Sequence, residues 1–243
     1  MNDSHEDRII HLEYNFDIAE LKRIYEETSN PDTSSEPDNI KSWPWNDPNT
    51  NNGRETCGWH YPQIEQMYSG ERPWPYEYIK ELAYTFNFKN SGFMFFMNVP
   101  HFDYPIHFDS TKGKKTDAGY ENTDGSVGVS HSTIHGTKLG LSGDELDHYI
   151  KVRTKGTECA LLVKLEDDGA PLSFTYENQK DWDPNTYTKS SNDHKYDYEA
   201  CFVNAHWTHY VEGSDKRRLI FRLSIYGESY EEGINRLLSK GLI

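Results

Sequence analysis

The chain has 243 residues, with 25 Lys and Arg against 40 Asp and Glu and a formal net charge of −15. Such a charge repels phosphate backbones, and the only basic clusters, at 112–115 and 216–218, are short, which argues against a general nucleic-acid-binding role. The longest apolar runs, at 93–97 and 160–163, fall far short of the roughly 18–20 residues a membrane-spanning helix needs, so the expectation is a cytoplasmic protein with neither membrane anchor nor secretory signal.

Hydrophobic content is low at 35% but aromatic content is high at 14%, so rings must supply much of the buried area of a globular domain. Cys57, Cys159 and Cys201 are odd in number and lack CxxC spacing, which argues for buried thiols rather than disulfides or a thiolate zinc site. In chain order, residues 8–14 alternate Ile10, Leu12 and Tyr14 as a short strand. Asp17 then caps a helix over 18–27 with Ile18, Leu21, Ile24 and Tyr25 on one face. Residues 29–61 are rich in Asn, Asp, Pro, Ser and Thr, and read as a long loop packed down by Trp43, Trp45, Trp59 and Tyr61. Pro75 opens a helix running to about Phe86, with Tyr78, Ile79, Leu82 and Phe86 toward a core.

After residue 92 the character changes. Residues 93–99, 157–165, 172–176, 200–205 and 218–226 are β-branched, aromatic or aliphatic and predict strands, while 112–155 reads as a long insertion with one short helix at 143–150. A terminal helix is expected over 233–242. Two N-terminal helices followed by many strands predict a single α+β domain, mainly β, around a barrel or sandwich.

The histidines carry the chemistry. In an extended segment residues i and i+2 share a side, so His107 and Asp109 can approach one ion together. One hundred residues after Asp109 comes His209, with His206 a competing position. In the strand beyond it, Arg218, Ile220, Arg222 and Ser224 share one face and Leu219, Phe221, Leu223 and Ile225 the other, so two arginines look inward. A buried arginine needs an anionic partner, and its fork suits a carboxylate ligand or a structural ion pair. Two histidines and a carboxylate on one face of an iron ion leave three positions open, as non-haem Fe(II) oxygenases require.

Taken together, His107–Phe108–Asp109, the strand and the Gly-Ala-Pro-Leu-Ser-Phe stretch within 160–174, His209–Tyr210–Val211 and Arg218–Leu219–Ile220–Phe221 resemble the Fe(II)/2-oxoglutarate-dependent dioxygenases of the aspartyl/asparaginyl and prolyl hydroxylase-like branch. The resemblance implies a double-stranded β-helix (jelly-roll, cupin-like) with N-terminal helices packed against it, as one domain over 1–243. Its N-terminal helical and aromatic region would be 1–90, and its core 91–230 with an insertion at about 112–155. It implies that His107, Asp109 and His209 bind iron and that Arg218 pairs with the distal carboxylate of 2-oxoglutarate. Arg222 and Ser224, on the same face, are further co-substrate candidates. The family pattern places an apolar residue two positions after the distal histidine, and Val211 satisfies that for His209, which favours it over His206. His101–Phe102–Asp103 is a second HxD, but Ser110 and the long loop after Asp109 favour the first.

Two departures stand out. The hundred-residue interval is long for the family, which implies that 112–155 is a lid or binding loop from which His131 and His135 reach substrate; the nine residues from His209 to Arg218 are slightly few. With O2 as oxidant the implied reaction hydroxylates an unactivated C–H bond and releases succinate and CO2. Asp109 favours hydroxylation, because halogenating relatives lack that carboxylate. The acidic surface and Arg222 together point to an amino acid, free or in a peptide, or a similar small molecule. The rivals are a cupin-type metal enzyme that does not use 2-oxoglutarate and a non-catalytic β-barrel that binds a ligand or partner protein.

Overall fold

The computed structural model describes residues 8–29, 40–41, 54–59, 61–88, 90–107, 115–116, 119–121, 127–128, 142–144, 157–166, 169–175, 189–205, 207 and 209–243. Within them run β1 (Ile9–His11), α1 (Ile18–Ser29), β2 (Ile40–Lys41), β3 (Arg54–Trp59), α2 (Tyr61–Ser69), α3 (Glu77–Phe86), β4 (Ser91–Asn98) and β5 (Tyr104–His107). The short strands β6 (Lys115–Thr116), β7 (Gly119–Glu121) and β8 (Val127–Gly128) come next. The remainder is β9 (Thr157–Glu166), β10 (Leu172–Phe174), β11 (His194–Tyr196), β12 (Ala200–Asn204), β13 (His209–Val211), β14 (Arg218–Tyr226) and α4 (Tyr230–Ser239).

Every strand pairing is antiparallel. A seven-stranded sheet has the order β1-β12-β9-β14-β4-β3-β2, a four-stranded sheet the order β11-β10-β13-β5, and β6-β7-β8 form a third. The large sheet has two apolar faces, and period-2 alternation sorts its residues between them. Phe93, Phe95, Leu161, Val163, Leu219, Phe221, Leu223 and Ile225 join one core cluster with Leu21 and Ile24 of α1, Ile64 of α2, Leu82 and Phe86 of α3 and Leu237 of α4. Ala160, Leu162, Cys201, Val203 and Ile220 join a second cluster with Leu172, Phe174 and Val211 of the four-stranded sheet. Helices therefore cover one side of the large sheet and the smaller sheet covers the other. All three cysteines are buried free thiols.

Local signals explain the helices. Asp17 Oδ1 accepts the Glu20 N–H at 2.9 Å and opens α1. In α4, Ser229 accepts from Glu232 N while the Glu232 side chain accepts from Ser229 N, a reciprocal cap. Helix α3 starts at Glu77, two residues beyond Pro75, and Tyr76 caps it without a side-chain hydrogen bond.

The stretch expected to be a long loop at 29–61 contains β2 and β3, and β3 pairs along most of β4 inside the large sheet. Trp59 and Tyr61 are fully buried. Helix α2, absent from the sequence-based expectation, comes immediately afterwards and buries Ile64 and Met67 against the helix-side cluster. Trp43 and Trp45 lie outside the described residues, as does the expected helix at 143–150 beyond Asp144. Among the described residues no helix is long and apolar enough to cross a membrane.

Candidate active site in the cleft between the sheets

Between the two main sheets an open cleft of about 440 Å³ is lined by His209, Arg218, Arg222, Asn98 and Tyr104, with Phe96, Leu162, Leu172, Val211 and Ile220 as its apolar walls. Each polar group arrives on a different strand or at a different level of one strand. His209 opens β13 and is buried. Its Nδ1 lies 2.8 Å from the Trp207 carbonyl oxygen. A carbonyl only accepts, so Nδ1 carries the proton and the lone pair resides on Nε2, the tautomer a metal-binding imidazole needs. Trp207 is itself held, because the Arg8 guanidinium stacks on its ring at 4.3 Å and the Arg8 carbonyl accepts the Asn204 N–H at 2.8 Å. The next residue, Tyr210, is buried and donates its hydroxyl to Asp193 Oδ2 at 2.8 Å. Burial and then the Asp193 carboxylate push that phenol's pKa well above its ordinary value, so it stays a donor.

His107 ends β5, and its Cα partner across the β5–β13 ladder is His209. The register brings to one level two positions a hundred and two residues apart in sequence. The ladder slips at a bulge between His209 and Val211, the kind of irregularity that re-aims a side chain near a site. Asp109, His131, His135 and His206 lie outside the described residues, and of His107 only the backbone is described. Among the described residues no three His, Cys, Asp or Glu side chains gather in one place.

The second HxD takes a structural part. Asp103 Oδ1 accepts the Gly213 N–H at 2.7 Å, His101 N donates to Ser214 O at 2.6 Å, and His101 holds a left-handed backbone with φ of 63°. His101 and Asp103 thus fasten the β4–β5 turn to the β13–β14 turn.

Arg218 is 5% exposed, and its Nη2 donates to the Tyr198 hydroxyl at 2.7 Å. Arg222 is half-buried in the cleft with its guanidinium 5.7 Å from the Phe96 ring centre. Ser224 is buried on the same strand, opposite Gly92 and Ala160, and is not among the cleft's lining residues. Trp59 packs in the helix-side cluster, away from the cleft wall. Asn98, Tyr104 and Tyr198 carry no signal in the sequence. What singles them out is the register of β4 and β5 and, for Tyr198, the connection between β11 and β12, which no local pattern contains.

No family model matches the chain, and no curated protein matches it. Among solved structures it is similar to a Pseudomonas putida prolyl-4-hydroxylase at 10% identity, covering 87% of this chain and 88% of that one, with a TM-score of 0.45. It is similar to HygX from Streptomyces hygroscopicus with nickel and 2-oxoglutarate bound, at 10% identity, 91% and 84% coverage and a TM-score of 0.43. A Trichoplax adhaerens prolyl hydroxylase in complex with a hypoxia inducible factor peptide fragment gives 13% identity, 95% and 86% coverage and a TM-score of 0.40. These TM-scores lie below 0.5, so the chemistry rests on the cleft's own residues.

Proposed function

We propose that the chain is a non-haem Fe(II)- and 2-oxoglutarate-dependent oxygenase, a single domain over 1–243 whose two facing sheets form a double-stranded β-helix with 112–155 as an insertion. The observation that carries this reading is one cleft holding both a histidine with its Nε2 lone pair available and a buried arginine, with His107 opposite that histidine in the ladder. His107, Asp109 and His209 would hold Fe(II), and Arg218 would pair with the distal carboxylate of 2-oxoglutarate. With that metal bound, 2-oxoglutarate and O2 supply oxidation of a C–H bond to C–OH, with succinate and CO2 as co-products.

The chain's own residues bind and orient. Trp207 O fixes the His209 ring, and the apolar walls flank the polar groups of the cleft. Arg218 is always charged, buried and presents a planar fork, which suits a carboxylate. Arg222 is four residues along an extended strand from Arg218, about 13 Å between Cα atoms, and so meets a different group: an anionic part of an amino acid, free or in a peptide, or of a similar small molecule. His131 and His135 approach that substrate from the insertion.

The test is anaerobic titration with Fe(II) and then 2-oxoglutarate, following the weak visible charge-transfer band of the chelate. The band is expected in the wild-type protein and absent in His209→Ala and Arg218→Ala. Iron binding without a band would favour a cupin-type enzyme that does not use 2-oxoglutarate, and no iron binding would favour a ligand-binding barrel.

A further inference from the structure

β12 belongs to the large sheet and β13 to the small one, so the connection between them carries the chain across to the cleft histidine that opens β13. A connection between sheets lies outside their ladders, and other contacts must set which way its peptide groups point. Here those contacts lead back to the N-terminus. The Asn204 N–H donates to the Arg8 carbonyl at 2.8 Å, the Trp207 N–H donates to the Asn204 carbonyl at 3.3 Å, and the Arg8 guanidinium lies 4.3 Å from the Trp207 ring centre. The 3.3 Å bond is long for an amide, which makes the ring contact the firmer of the two on Trp207.

Arg8 stands immediately before β1, whose pairing with β12 fixes its place beside this connection. It is 2% exposed, so its cation meets the Trp207 ring out of water, where attraction between a cation and an aromatic face is strongest. The Trp207 ring itself is partly buried against the cleft-side cluster. What this hold controls is the direction of the Trp207 carbonyl, to which His209 Nδ1 donates at 2.8 Å. Were that peptide to turn, Nδ1 would lose its acceptor. A neutral imidazole in water favours the proton on Nε2, the nitrogen that must be bare to meet a metal, so the carbonyl is what selects the useful tautomer.

We propose that Arg8 is a positioning residue for the metal centre: by stacking on Trp207 it aims the carbonyl that keeps the His209 proton on Nδ1, and so ties Fe(II) affinity to the N-terminal strand. The inference rests on the proposed function of the cleft. Its test uses the full chain and two readouts. Long-range proton–nitrogen correlation spectra of the metal-free, 15N-histidine-labelled protein at about pH 8, above the ordinary titration range of histidine, report which ring nitrogen of His209 carries the proton, the signal being assigned by its loss in His209→Ala. Anaerobic calorimetric titration with Fe(II) gives the affinity, and a thermal melt of each variant reports folding.

The wild-type protein should show the proton on Nδ1. Arg8→Met fills the arginine's volume without its charge; it should move the His209 signals toward the Nε2–H tautomer and weaken Fe(II) about tenfold, as loss of a partner behind a metal-binding histidine does. Arg8→Lys keeps a cation over the ring and should stay within about threefold of wild type, with the tautomer retained. A purely structural role would lower the melting temperature of Arg8→Met and leave tautomer and affinity alone. That result, an affinity loss without a change of tautomer, or a wild-type proton on Nε2 overturns the role of Arg8 and leaves the proposed function standing. Failure of the wild-type protein to bind Fe(II) overturns the proposed function and this inference with it. Should Arg8→Met not fold, Arg8→Gln carries the same comparison.

Discussion

The two HxD pairs show what a single residue's partner decides. By spacing alone, His101–Phe102–Asp103 and His107–Phe108–Asp109 are the same motif. The fold gives the first of them a structural partner, because the Asp103 carboxylate accepts the Gly213 N–H. Asp103→Ala should therefore lower stability by about 1 kcal/mol, a shift of roughly 2–4 °C in melting temperature for a chain of this size, and leave Fe(II) binding intact. Asp109→Ala should do the reverse, removing Fe(II) binding with little change in the melt. Iron titration and a thermal melt on both variants decide it, and loss of iron binding in Asp103→Ala would exchange the roles. At this scale the sequence is informative wherever residue type and parity suffice, as for Arg218 and Arg222 sharing a face. It is silent on Asn98, which β4 brings opposite Arg218, and on Tyr198, which the β11–β12 connection brings to the Arg218 guanidinium, because both meetings occur only in the fold.

Strands whose residues have strand propensity are legible as elements, and strands made by their neighbours are not. Expected strands at 93–99, 157–165, 172–176, 200–205 and 218–226 correspond to β4, β9, β10, β12 and β14. β3 has a loop's composition, since Arg-Glu-Thr-Cys-Gly-Trp carries two charges and a glycine, and it exists because β4 offers it a full ladder. Helix α2 is visible in principle: Pro62 stands in its first turn, and Ile64 and Met67 are three apart. The polar stretch running up to Tyr61 masks it. Gly58 shows how closely β3 is fitted. Its φ is 142°, and a Cβ there would lie 2.1 Å from the Phe93 carbonyl oxygen and 2.9 Å from Met94 Cα. Gly58→Ala should thus cost about 3 kcal/mol or more in denaturant unfolding. Gly70, with φ of 82° and nothing within 4 Å of a built Cβ, is the control, and Gly70→Ala should cost about 1 kcal/mol from backbone strain alone. Equal costs at the two sites would mean that β3 does not press against β4 as described.

Across the whole molecule, an aromatic-rich chain with a net charge of −15 builds an alkaline limit into its stability. Tyr14, Tyr68, Tyr76 and Tyr78 pack at the edge of the helix-side cluster. Burial raises the hydroxyl pKa of each, and at Tyr78 the value is pushed up to about 12, the Asp17 N–H donating to its oxygen being a weaker opposing effect. A folded pKa above the unfolded value near 10 means the native state holds the proton more tightly. The resulting stabilisation is complete below about pH 10 and is lost as pH rises through the folded values. Each phenolate formed on unfolding also adds negative charge to a chain already far from neutral, which disfavours the return to a compact state. The melting temperature should hold nearly level from about pH 7 to 9 and fall between about 10 and 12, with roughly 0.5 M NaCl recovering only the part due to net charge. Tyr78→Phe removes one titrating group and should flatten the fall while lowering the plateau, since the Asp17 N–H loses its acceptor. A melt curve that drops with the same slope in Tyr78→Phe and wild type would show that this phenol does not titrate with unfolding.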